Sequence, residues 1–172
     1  LRENQLMAHR VINDLEVESG IRLNHKEILE EVGQITGHIR VILGGNVKEM
    51  AAAVAQAKLM GLEIKEIISI SKNLLDFESA ISAELEAELL TGKQLNLEKA
   101  RLAALTGDEK TLMEEVKKNA GSLVEFGKMN VLQQEALAKA MGMSVDTMSD
   151  MLFQQDVAGR SVEQLRAAGE EE

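Results

Sequence analysis

The chain has 172 residues and a formal charge of −10, from 29 acidic against 19 basic side chains. It contains no proline, cysteine, tryptophan or tyrosine, and only three phenylalanines. Disulfides, thiolate metal sites and thiol catalysis are therefore excluded, and the charge disfavours phosphate backbones and anionic lipid.

What remains is 45% hydrophobic and rich in Ala, Leu, Met and Glu, which predicts an all-α fold of proline-free helices. Phe77, Phe126 and Phe153 are the whole aromatic complement. That leaves few faces for a ligand pocket or for stacked single-stranded nucleic acid. No apolar run is long enough to span a bilayer, and nothing at the start reads as a signal peptide. The chain opens on Leu1 rather than Met, which predicts a portion of a longer protein.

Side-chain caps and glycines mark the predicted helices. Asn24/Glu27, Asn46/Glu49, Ser122/Glu125, Asn130/Gln133 and Ser161/Gln164 have capping-box spacing, and Asn96, Asp108 and Ser144 read as simpler N-caps. Glycines at 20, 44–45, 61, 92, 107, 121 and 142 suit the turns that close helices. The resulting helices cover roughly 3–18, 25–43, 47–60, 64–90, 97–106, 109–119, 123–128, 131–141, 145–155 and 162–168.

In the second of these, Ile28, Val32, Ile35, Ile39 and Ile42 repeat at spacings of 4, 3, 4 and 3. β-branched residues at both seam positions favour a trimer or a higher multiple over a dimer, so these five are the candidate oligomerisation residues. The same stripe also fits the buried face of a helix in a monomeric bundle. The helix at 64–90 has a second stripe, Ile67, Ile70, Leu74, Phe77, Ile81 and Leu85, beside Glu84, Glu86 and Glu88, which read as a solvated face. Residues 96–111 are weakly echoed by 130–147, each a helix, a glycine turn and a second helix. The expected organisation is a helical, coiled-coil segment over 1–45 followed by a module of short helical hairpins over 46–172.

Several motifs invite sharper readings. Residues 136–152 look like a helix-turn-helix, with Gly142 in the turn and Ser144 capping the second helix. That helix carries Asp146 and Asp150 and no Lys or Arg between Ser144 and Gly159, the wrong sign for a DNA groove. Ile39 through Asn46 could be a strand and glycine turn, but it lacks the spacing of a dinucleotide or phosphate loop. Gly33 and Gly37 form a small-xxx-small pair among polar neighbours, suited to close approach of another chain rather than to lipid. His9, His25 and His38 are not spaced for a shared metal site on one helix. No catalytic residue, cofactor-binding residue or metal ligand is expected.

A family resemblance is carried by Leu75 through Lys93, Leu95 through Arg101, Leu105 through Asp108, Gly121 through Phe126 and Asn130 through Met143. Together these resemble helical segments of bacteriophage tail tape-measure proteins, over residues 62–152. The resemblance implies a structural virion component that helps set tail length, organises tail assembly and is expelled during genome ejection. It implies self-association and contacts with tail-tube and tail-tip or baseplate proteins. It also implies a place in the tail lumen or tip, with host cytoplasm as the site of assembly. The alternatives are an internal, ejected capsid protein and, from a different class, a helix-turn-helix DNA-binding regulator.

Overall fold

The computed structural model describes residues 2–35 and 37–170, with side chains described through residue 160. The described residues form eleven α-helices and no strand, as the composition predicts. They divide into two compact units, one of residues 1–63 and 154–172 and the other of residues 64–153. The expected boundary at 45/46 falls elsewhere because the helix after it packs on the two before it.

The first unit contains α1 (Arg2–Ser19), α2 (His25–Gln34), α3 (Gly37–Ile42) and α4 (Val47–Leu59). α1 and α2 both pack on α4. Ile12 and Ile28 are fully buried, as is Val54 of α4, each such side chain stabilising the unit by about 1.5–3 kcal/mol. The single helix expected over 25–43 is two helices. At Ile35 the backbone turns extended (φ −68°, ψ 121°), and its amide donates back to the Val32 carbonyl. Gly33 and Gly37, poor helix formers, bracket the interruption, and Gly37 has a φ of +57°. The strand considered for Ile39 onward is absent, since residues 37–42 are helical.

The second unit contains α5 (Ile64–Leu75), α6 (Phe77–Thr91), α7 (Glu98–Thr106), α8 (Glu109–Ala120), α9 (Leu123–Gly127) and α10 (Val131–Ala140). It also holds the first turns of α11 (Val145–Glu170), through Phe153. The helix expected over 64–90 breaks at Asp76, whose backbone (φ −78°, ψ 81°) is not helical and which precedes α6 at the N-cap position without a side-chain cap bond. Ile64, Ile67, Ile70 and Leu74 are buried along α5, at the spacing of one helix face. The break resets the rotation, so the stripe does not continue inward on α6. α11 runs through the region where two helices were expected. The Ser161/Gln164 capping box therefore falls inside α11, and its side chains lie outside the described ones.

Asn24, Asn46 and Ser122 each accept the amide of the residue three positions on. Asn130/Gln133 makes both halves of the capping box. The echo between 96–111 and 130–147 is a shared way of ending a helix: the Asp108 amide reaches the Ala103 carbonyl at 2.9 Å, and the Met143 amide reaches Ala138 at 3.0 Å.

At the second of these turns Gly142 has a φ of +79°. A Cβ there would lie 3.0 Å from the Ile70 carbonyl oxygen and 3.3 Å from Asn73 Cβ. Asn73 Nδ2 donates to the Gly142 carbonyl at 2.8 Å, which seats the turn on α5. Gly142→Ala is therefore expected to cost about 1–2 kcal/mol from the left-handed backbone, plus the loss of this close fit. Gly92→Ala, where φ is +70° and nothing approaches the added Cβ, isolates the backbone cost. Urea unfolding of the two variants should show Gly142→Ala as the more destabilised.

Candidate interaction surface

α6 is apolar on two faces, and only one of them is covered. Ala80, Ala83 and Ala87 are buried. α6 packs chiefly on α10, which buries Ala136, Leu137, Ala138 and Ala140. The two helices run antiparallel: Gln133 Nε2, at the start of α10, donates to the Leu90 carbonyl at the end of α6 at 2.9 Å. With the alanine side of α6 turned inward, its larger side chains turn outward. Phe77 is 52% exposed, Ile81 47%, Leu85 57% and Leu89 87%. They follow one another at every fourth position, a continuous ridge along one side of the helix. The sequence stripe joins Phe77, Ile81 and Leu85 to Ile67, Ile70 and Leu74, which the structure buries. The break at Asp76 is the reason they are outside.

Beside the ridge lies an open groove of about 640 Å³. Ile81, Glu84, Leu85 and Glu88 of α6 form one wall. Gln94, Leu95 and Asn96 of the connecting segment, with Glu98 and Arg101 of α7, form the other. Arg101 Nη2 donates to Glu84 Oε2 across the groove, with 11% and 13% of the two side chains exposed. Glu84 is thus an internal ion-pair partner rather than part of a solvated face. Arg101 Nε is buried without a hydrogen-bond partner among the described residues.

The connecting segment is held from behind. The Asn96 amide donates to Asn119 Oδ1 at 2.8 Å, and Asn119 Nδ2 returns a bond to the Asn96 carbonyl at 2.9 Å. Lys93 Nζ donates to the carbonyls of Asn119 and Ala120 at 3.2 and 3.0 Å, a cation at the C-terminal end of α8.

The proposed oligomerisation residues are placed differently. Ile28, Val32 and Ile35 are buried inside the first unit, Ile39 is half-buried and Ile42 is exposed. The helix is interrupted after α2 and three of the five lie in the chain's own core, the arrangement of a buried bundle face. Gly33 and Gly37 are open, with nothing within 4 Å of an added Cβ.

His9 and His25, distant in sequence, are brought together. Their Nδ1 atoms are 2.8 Å apart and their rings stack at 5.1 Å. Glu16 Oε2 lies 3.3 Å from His25 Nε2, a geometry in which His25 can donate from Nε2 and accept from His9 at Nδ1. Glu16 also accepts the Leu23 amide at 2.7 Å. That bond, with the one from His25, holds its carboxyl below the ordinary value. His38 is exposed and apart from this cluster. Among the described residues no group of three or more His, Cys, Asp or Glu could hold a metal ion.

The pair α10 and α11 has the outline expected of a helix-turn-helix, with Ser144 Oγ accepting the Thr147 amide at 3.1 Å. Met148, Met151 and Leu152 are buried, while Asp146 and Asp150 are exposed. The outward face of α11 is therefore acidic there. No described helix is long and apolar enough to cross a membrane.

No protein-family model matches the chain, and no curated protein or solved structure matches it. The described residues are all-α, with an uncovered apolar face along α6.

The ion pair within the groove gives a direct test of its construction. Glu84→Gln leaves the largely buried Arg101 guanidinium without a counter-charge. It is expected to lower unfolding free energy by about 1–3 kcal/mol, less than for a fully buried pair because both groups retain some solvent. Adding Arg101→Met should recover most of that loss in urea unfolding, since the stranded charge is then gone.

Proposed function

We propose that the chain is a structural, helix-docking part of a bacteriophage virion, a portion of a tail tape-measure protein. The observation that carries this reading is that the stretch resembling tape-measure helices, 62–152, nearly coincides with one compact unit, 64–153. The resembling residues thus belong to a single packed module, and its prominent surface feature is the apolar ridge of α6. Such a surface suits a protein that works by binding other helices and holding them in place. In this role the chain meets tail-tube and tail-tip or baseplate proteins, resides in the tail lumen or tip, and is expelled with the genome. Because Ile28, Val32 and Ile35 serve the chain's own core, the docking contacts of this role are assigned to the second unit.

Location within the particle tests the proposal. Tails and DNA-filled heads are separated from purified virions and each fraction is digested for peptide mass spectrometry. Peptides from residues 64–153 are expected in the tail fraction. Recovery from heads alone would make this an internal capsid protein, and absence from both fractions would remove the virion role.

A further inference from the structure

We propose that the α6 ridge and its groove bind a basic amphipathic helix of another protein, one that sets Leu-like side chains against the ridge and Lys or Arg beside it. The inference rests on reading this face as a helix-docking surface, and it is independent of where in a virion the chain resides. Three observations identify the occupant.

The first is that the ridge is apolar and uncovered over more than three turns, from Phe77 to Leu89. An apolar stripe along a helix is ordinarily turned toward another element.

Charge is the second. α6 carries Glu78, Glu84, Glu86 and Glu88 and no Lys or Arg. Glu84 is neutralised by Arg101. Glu78 and Glu88 share the ridge side by helical rotation, and Glu88 and Glu98 line the groove. An approaching helix therefore meets apolar contacts interspersed with negative charge. That arrangement favours Lys or Arg in the partner and disfavours an anionic lipid surface.

The third observation concerns a second copy of the chain. An antiparallel, two-fold pairing of ridges would set Phe77 opposite Leu89 and Ile81 opposite Leu85. The same register sets Glu78 of one copy opposite Glu88 of the other, placing like charge on like at both ends of the contact. The apolar pattern would permit self-pairing, and the charge pattern opposes it. A basic partner satisfies both.

The groove walls are suited to receiving a helix without rearrangement. The Asn96–Asn119 bonds and the Lys93 contacts fix the connecting segment, so little ordering is left for binding to impose.

The test uses the full 172-residue chain, which has no tryptophan or tyrosine. A synthetic peptide of about five helical turns, with Leu at i, i+3, i+4 and i+7 spacing, Lys beside them and one Trp, then supplies the whole indole signal. Two controls have the same length: one with every Lys replaced by Glu, the other with the same composition in scrambled order. The Lys peptide is expected to bind with a blue shift and increased anisotropy, more weakly as salt is raised. Neither control should bind comparably.

Ile81→Ser with Leu85→Ser, at exposed positions, should weaken binding by about tenfold or more while leaving the helical circular dichroism unchanged. Glu78→Lys with Glu88→Lys should transfer preference from the Lys peptide to the Glu peptide. Equal binding of the ordered and scrambled Lys peptides would reduce the effect to attraction by an acidic protein, and overturn the proposal. So would unaltered binding by both double variants, or a dimer of the free chain that the Ile81/Leu85 variant dissociates.

Discussion

The packing of the alanine side of α6 on α10 determines the surface of the second unit. Ala80, Ala83 and Ala87 turn one side of α6 toward the interior, where α10 packs on it with Ala136, Leu137, Ala138 and Ala140 buried. Alanine loses no side-chain rotamer freedom on burial and allows backbones to come near one another. The consequence is geometric. A helix has one orientation about its axis, so burying its alanines presents Phe77, Ile81, Leu85 and Leu89 to solvent. The Gln133–Leu90 hydrogen bond holds the antiparallel alignment at one end of the pair, and the Gly142 turn, seated on α5 by Asn73, fixes the far end of α10. An ordinary stabilising interaction thus leaves an unusual surface.

The groove beside that surface is maintained by polar chemistry that the apolar core does not require. Arg101 reaches Glu84, and Asn119 clips the segment between α6 and α7. A largely buried ion pair is a weak source of stability, because desolvation offsets most of its Coulomb energy. Here its effect is to neutralise one carboxylate of α6 and leave Glu78, Glu86 and Glu88 acidic along the helix. The selectivity assigned to the ridge follows from that sorting of charge.

Much of the helical framework is legible in the sequence. Side-chain caps such as Asn24, Asn46, Asp108, Ser122 and Asn130 act locally, through bonds spanning three residues, so tertiary context scarcely affects their reading. Two interruptions are harder to read. Ile35 continues the apolar spacing of α2 while its backbone leaves the helix, and Asp76 sits within a run whose periodicity passes over it. Apolar spacing reports which residues would share a face if the helix were unbroken. It carries no information about whether it is. The candidate surface depends on the second interruption: Phe77, Ile81 and Leu85 are visible in the sequence as a stripe, but the side of the helix they occupy is not. Pairing of His9 with His25 was hidden for a different reason, since it depends on the turn between α1 and α2 rather than on spacing along one helix.

The functional account follows from the orientation of α6: alanines inward, large apolar residues outward toward a helical partner. Solvent paramagnetic relaxation of methyl groups in the full chain tests that orientation most directly. With a soluble paramagnetic probe, the methyls of Ile81, Leu85 and Leu89 should relax strongly, while those of Ala80, Ala83 and Ala87 stay protected. The reverse pattern, with alanines relaxed and the larger residues shielded, would place the ridge in the core and contradict the account.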